Sequence, residues 1–502
     1  MGWLNGINIL GAAIVCLVGA WVLVPMTGFE GALRVGACVS AVAGLVALGL
    51  SFRLDAARPV IPDTAMSGQV APASARMLVW PLVFFLSGFL AIALQVVWFR
   101  ISILVSDNSP LVFSLILAVF LFFDGLGSLL GTRWNWHSPW RTFLLLQLLI
   151  VVWAVFSVWW LPHWFYDTHT RWSAFFPLLM VAPAALLIGA AFPVVQRAVQ
   201  DDLGRVGERV GILQVANLAG NVLAGLLTGL VLLEFWGSSS VFRLAILLAA
   251  AAAAMLVFDL LPRRSGNRAL RTGIACIVLL LGLLTAWRFP AQQPFWYSLF
   301  PNKGHVVDFY VQEKASGTAS LAVLDNGHTQ MLVNGHVQGD IPLGYSNLHL
   351  YMGLLPSLLH PDPRESLIIG LGSGSTAYGS GGRESLERIT VVELMAAQYP
   401  LHQQFLHSHP DPGLQVLFSD PRYQWQVGDA RRWLASHETQ FDIIEADAMV
   451  PSSSGAGFLY SVEFFELARS RLKPGGIMAQ WAPTPRTERT FVAVFPYVVK
   501  FK

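Results

Sequence analysis

The alternation of apolar and polar positions divides the chain into two unlike halves. Up to residue 288, apolar runs of about 20 residues recur, the length a helix needs to cross the hydrocarbon of a bilayer. Nine such helices are predicted, at 7–26, 32–52, 78–105, 109–131, 142–161, 175–196, 209–236, 239–261 and 272–288. Short segments with Pro, Gly, Arg or Asp separate them. Trp80, Trp98, Trp134, Trp159, Trp160, Trp164, Tyr166, Trp236 and Trp287 gather near their ends, as an interfacial aromatic belt does. Residues 289–317 read as a linker, and 318–360 as a small β-hairpin unit. Its apolar segments 319–325, 329–334 and 336–339 are separated by the turn signals Asp325-Asn326-Gly327 and Asn334-Gly335. A helix follows over 346–359, with Pro356 as a kink or break.

From 361 to 502 the period changes again. SLIIGLG (366–372), RITVVEL (388–394), YQWQVGD (423–429), FDIIEAD (441–447) and GGIMAQWA (475–482) read as strands, and YVVKFK (497–502) as a sixth. Helical stretches lie between them, which predicts a parallel sheet covered on both faces. The expected fold is a multi-pass helical membrane bundle joined to an α/β part, made of a β-hairpin unit and a Rossmann-like sheet.

Composition agrees with that division. The chain is 55% hydrophobic and 12% charged, about half the charge of an ordinary soluble protein. This excludes a purely soluble enzyme, a disordered chain and a basic nucleic-acid binder. Through residue 288 there are 17 Lys and Arg against 11 Asp and Glu; afterwards there are 15 against 19. Loops after even-numbered helices carry twelve arginines and the opposite side four: Arg34, Arg100, Arg171 and Arg243. The positive-inside rule therefore places the polar half outside the cytoplasmic membrane of a bacterium. Cys16, Cys38 and Cys276 all sit in apolar runs, so neither a disulfide framework nor a cysteine metal site is expected. Within the spans, Asp124 is the acid near a helix centre. Gln95, Asn217 and Asn221 suit hydrogen bonds between helices, and the runs GLGSLLG and LAGNVLAGLLTG suit close helix packing.

The chemistry lies at strand ends. Gly370, Gly372 and Gly374 follow the first parallel strand and let backbone approach a ligand. Glu393 ends the second strand, where an acid accepts hydrogen bonds from ribose hydroxyls. Asp429 and Asp447 end the third and fourth strands on the same rim. Together they point to a nucleoside-bearing ligand. His402, His407 and His409 read as a solvated loop, and Ser452 to Gly455 offers no nucleophile, because no partnering His follows it.

At this point the chain resembles the spermidine synthases, the polyamine aminopropyltransferases. The resemblance covers about 319–502 and is carried by LVNGHVQG, LHLYMGLLPSLLHP, LIIGLGSG, VVEL, VGDARRWL, FDIIEAD and FLYSVEFFELARSRLKPGG. The membrane half is similar to that of bacterial fused membrane–spermidine synthase proteins, through LSGFLAIALQVVWFR, FSLILAVFLFFDGLGSLLG and VANLAGNVLAGLLTGLVLLEFWG. The resemblance implies decarboxylated S-adenosylmethionine as co-substrate, with no tightly bound cofactor and no metal. It implies that Gln338, Gly370, Gly372, Gly374, Glu393 and Asp429 bind this donor, that His349 binds substrate, and that Asp447 helps deprotonate the attacking amine. Departures accompany it. Ser373 stands where the family has an aspartate facing the donor's amine. Leu348 and Leu350 replace a Tyr and a Glu beside His349, and Val450 replaces the second aspartate of the Asp-x-x-Asp-Pro loop. The nucleoside-binding set is kept and the polyamine-binding set is eroded. The hairpin strand that completes the family's sheet does not follow Lys502, which implies a partial sequence.

Three functions compete on these observations. The first is aminopropyl transfer to an amine at an altered acceptor site. The second is a non-catalytic membrane scaffold or complex subunit that keeps the fold. The third is a transporter with a sensing domain. The lipid bilayer, an amine and membrane-complex subunits are the expected partners, and nucleic acid is not.

Overall fold

The computed structural model describes residues 2–55, 76–105, 110–133, 138–160, 162, 176–199, 206–260, 268–300, 303–345, 347–447, 449, 451, 453 and 455–501. Among them, eight helical runs are long and apolar enough to cross a membrane, where the apolar pattern predicts nine. The difference lies at the start. Gly2–Phe52 is one helical run of 51 residues, passing through a π-turn at Gly19–Leu23 and bending where Gly28 takes φ 71°. A single glycine can redirect a helix without a loop, so the expected break shrinks to one residue. The run is still roughly 76 Å of helix at about 1.5 Å per residue, more than two bilayer crossings.

The remaining long helices are Arg76–Val105, Pro110–Arg133, Pro139–Trp159, Phe176–Val199, Val206–Leu227, Gly237–Leu260 and Arg268–Arg288. Small residues let them touch backbone to backbone. A Cβ on Gly127 would lie 2.0 Å from the Leu186 carbonyl oxygen, and one on Gly220 2.2 Å from that of Phe85. Asn217 donates to the Phe84 carbonyl at 3.2 Å, and Gln147 to Ser87 at 3.0 Å. Outward-facing Leu148, Leu226 and Leu284 leave the bundle's flank apolar.

Residues 289–317, which read as a linker, hold the helix Gln292–Leu299 and a strand β1, Val306–Lys314. The Pro-broken segment hides a helix whose Phe295, Trp296 and Leu299 are buried. Three further strands, β2 (Gly317–Leu324), β3 (Thr329–Val333) and β4 (His336–Ile341), complete an antiparallel sheet in the order β1-β2-β3-β4. Asn334 and Gly335, both at positive φ, make the β3–β4 turn. One face of this sheet, with Phe309, Val311, Ala322 and Leu332, shares a continuous core with Trp98, Ile101 and Phe242 of the bundle. The other, with Leu321, Met331 and Val333, packs on Ile389, Val391 and Phe405 of the α/β part.

A buried acid locks the junction. Glu313 on β1 accepts hydrogen bonds from Arg100 (3.0 Å), from the Ser238 amide (2.8 Å) and hydroxyl (2.6 Å), from Trp296 (3.0 Å) and from Gln292. Arg100 also donates to the carbonyls of Lys314 and Ala315. Lys314 pairs with Glu234 at 3.3 Å.

The α/β part has five parallel strands: β5 (Glu365–Ile369), β6 (Arg388–Glu393), β7 (Tyr423–Val427), β8 (Phe441–Ala446) and β9 (Leu472–Gln480). Their order is β7-β6-β5-β8-β9. Helices cover both faces, and the order reverses direction between β5 and β8, the switch point at which such sheets bind ligands. Residues 497–501 form no strand. Their alternating pattern suits one, but a strand needs a bonded partner, and β9 pairs only with β8 among the described residues. The helix Asn347–Leu359 runs on through Pro356 without a break.

Candidate functional site

The switch point gathers most of the expected residues. After β5 the chain turns through Gly370, Gly372 and Gly374, with φ of 100°, 54° and 95°. These left-handed values suit glycine, and they bring the loop's amides round to the carboxyl ends of the strands. Glu393, buried at the end of β6, accepts from the loop amide of Leu371 at 2.7 Å and from that of Met395 at 2.6 Å. Burial pushes its carboxyl up, against the pull of these backbone amides. The β4 strand closes over the loop. Gly339, at φ 155°, passes so near that a Cβ there would lie 2.7 Å from Ser373 Oγ. Beside it, Gln338 presents its carbonyl towards Gly372, and its side chain donates to the His336 carbonyl at 3.3 Å.

Asp447 follows the end of β8. Its carboxylate binds Nδ1 of His349, in the first turn of Asn347–Leu359, and accepts from the Thr376 hydroxyl at 3.1 Å. The hydrogen bond to Asp447 raises the His349 imidazole above its usual value, with burial opposing. An acid and a histidine 98 residues apart in sequence thus form one proton-holding pair beside the glycine loop. Such a pair can take a proton from a bound amine or orient it.

Asp429 stands apart from this pair. It is exposed, and its carboxylate caps the helix Ala430–Ser436 by accepting from Arg431 (2.9 Å) and Arg432 (3.3 Å). His402 is buried with Nδ1 on the Gln398 carbonyl, while His409 stacks on Phe405. Val450, Ser452 and Ser454 lie outside the described residues. A cavity of about 590 Å³ lies elsewhere, lined by Phe300, His305, Asp325, Gln330 and Val337 among others, and none of the candidate residues borders it.

Two members of the site escape a reading of the sequence. Thr376 is one small polar residue among several after the glycine loop. Glu445 is a fully buried acid inside β8, and its signal was available, a charge within the apolar run FDIIEA.

Residues 347–494 match the family model of the spermine/spermidine synthase domain. The chain is 27% identical over 216 residues to the polyamine aminopropyltransferase of Desulforudis audaxviator, covering 40% of this chain and 76% of that one. It is 34% identical over 137 residues to polyamine aminopropyltransferase 1 of Pseudomonas aeruginosa, covering 27% of this chain and 46% of that protein's length. With polyamine aminopropyltransferase 1 of Streptomyces coelicolor it shares 26% identity over 394 residues, 74% of this chain and 70% of the relative. An alignment that long reaches well into the helical half. A spermidine synthase solved with the transition-state analogue AdoDATO matches at TM-score 0.34 and 21% identity, over 38% of this chain and 66% of that chain. The C-terminal part of the chain is a spermidine synthase-like aminopropyltransferase domain.

Proposed function

We propose that the protein is a membrane-integral aminopropyltransferase with an altered acceptor site. The Asp447–His349 pair beside the Gly370–Gly374 loop, within a spermidine synthase-like domain, carries this reading. In the reaction, the nitrogen of an amine attacks the sulfonium-bound carbon of decarboxylated S-adenosylmethionine. The C–N bond forms, the C–S bond breaks with its electron pair moving to sulfur, and methylthioadenosine leaves. Asp447 takes the proton that the incoming ammonium must lose, and His349 holds Asp447 in place. Gly370, Gly372, Gly374, Gln338 and Glu393 hold the donor, with Glu393 towards the ribose and Asp429 towards the adenine. Leu350 and Val450, where the resemblance implies acids, favour an acceptor whose far end is neutral or apolar.

The same reading places the protein in the cytoplasmic membrane of a bacterium, with the soluble part outside. The β unit packs on the helix ends marked by Arg100, Ser238 and Phe289. Opposite ends carry Arg133, Arg197, Arg209, Arg268 and Arg271, with Arg197 donating to the Thr132 carbonyl there. This asymmetry depends on which ends touch the β unit and not on the number of helices, and arginine-rich ends stay in the cytoplasm.

That side favours a second reading, a non-catalytic subunit of a membrane complex, because adenosyl donors are made in the cytoplasm. Two measurements separate the readings. The full chain in detergent is given decarboxylated S-adenosylmethionine and a panel of amines, and product is followed by mass spectrometry. Transfer that Asp447→Asn abolishes supports the enzyme. Absence of product with every amine supports the scaffold. Asn326→Cys, at an exposed turn in a chain freed of its own cysteines, should react with an impermeant thiol reagent from outside the cell. Labelling only in inverted vesicles overturns the assigned side.

A further inference from the structure

Glu445 is unused by the reaction as described. It lies inside β8, paired in register with Ile368 on β5 and Ala479 on β9. It is 0% exposed, and no described group donates to either of its carboxyl oxygens. An unpaired carboxylate in such surroundings is strongly disfavoured. Burial, with the charge of Asp447 second, pushes the Glu445 carboxyl well above its ordinary range. Glu445 stands two residues before Asp447, which follows the end of β8, so their backbones are about 7 Å apart.

Ser366, in register with Ile443, faces the Ser380 hydroxyl at 3.4 Å, and Ser380 faces Ser357 at 3.3 Å. Thr376 donates to Asp447. Titratable groups on the surrounding elements are Asp447 just after β8, His349 and Tyr351 on Asn347–Leu359, and Tyr378 on Ser375–Gly381. Tyr351 is exposed. Glu365 and Lys473 stand at the far ends of β5 and β9. Asp340 acts on His349, and Tyr460 is coupled to Asp447.

We propose that Glu445 is a charge-gated second acid of the acceptor site, neutral while no ammonium group sits beside Asp447 and ionised when one does. The inference rests on the reading of Asp447 as the acceptor's contact. A cation about 6 Å away, at an effective dielectric of about 20, favours the ionised carboxyl roughly 100-fold. The displaced proton passes to solvent, so the neutral acid and the arriving ammonium become an ion pair plus one free proton.

Calorimetry of n-butylamine binding to the full chain, in buffers of different ionisation enthalpy, tests this. The wild-type protein should release up to one proton per amine bound, and affinity should rise with pH in step with that release. In Glu445→Gln the release should fall to whatever His349 contributes, because His349 remains. Infrared spectra of the wild-type protein guard against a misfolded variant: a protonated-carboxyl band should be present without amine and disappear on its addition. Equal proton release in the two proteins, or a band that amine leaves unchanged, overturns the role of Glu445 and leaves the acceptor reading standing. Failure of any amine to bind overturns the acceptor reading, and this inference with it.

Discussion

Arg100 and Glu313 are 213 residues apart in the chain and 3.0 Å apart in space. The guanidinium comes from the end of a membrane-type helix and the carboxylate from the first strand of the β unit. Their side chains are 12% and 1% exposed. Breaking a buried pair leaves a charge without a partner, which typically costs about 3–5 kcal/mol. Glu313→Ala should lower stability by that order, read as thermal unfolding in detergent. The double variant with Arg100→Ala should lose less than the sum of the two single losses, because the stranded charge is gone. Additive losses would show that the two side chains act independently.

Glu393→Ala removes the acceptor of two buried amides, Leu371 and Met395. Each amide left unpaired costs about 1–3 kcal/mol. The loss should appear both in unfolding and in affinity for adenosyl ligands, since the glycine loop is then no longer tied to β6. Glu393→Gln keeps one acceptor oxygen and should be the milder change.

The His349 imidazole is raised above its ordinary value by the hydrogen bond to Asp447. A folded-state value above the unfolded one gives stability that is fully present below the unfolded value and is lost as pH rises through the folded value. The gap in unfolding temperature between the wild-type protein and His349→Ala should therefore be widest in mild acid and narrow with rising pH. A gap that widens with pH would show that the imidazole is bound neutral.

Gly339→Ala combines a φ of 155° with a Cβ 2.7 Å from Ser373 Oγ. Gly428→Ala has a φ of 159° and nothing within 4 Å of the added carbon. Backbone strain, about 1–3 kcal/mol, is common to both. Only in the first does the new methyl group push on the glycine loop, so Gly339→Ala should weaken adenosyl-ligand binding more than Gly428→Ala does.

Putrescine should be a poor acceptor. A buried cation without its carboxylate loses about 2–5 kcal/mol, or roughly 30- to 4,000-fold in affinity. Leu350 stands where the resemblance implies an acid. Putrescine turnover equal to that of a monoamine under the same conditions would show that the substitution does not govern acceptor choice.

Much of this protein was legible in its residues. Apolar runs of bilayer length announced the bundle, and alternation followed by β-α repeats announced the two soluble layers, because burial imposes a period on each element. Strand-end positions picked out Gly370, Gly372, Gly374, Glu393 and Asp447, since a parallel sheet directs its strand ends towards one rim. Local pattern failed where partners come from far away. Helix Gln292–Leu299 and β1 look like a linker because their apolar side chains are buried only against the bundle. YVVKFK looks like a strand, yet among the described residues no neighbour pairs with it. The Arg100–Glu313 junction, the Asp447–His349 pair and the isolation of Glu445 have no period to reveal them. Each depends on which distant groups surround a side chain, and only the packing of bundle, β unit and parallel sheet decides that.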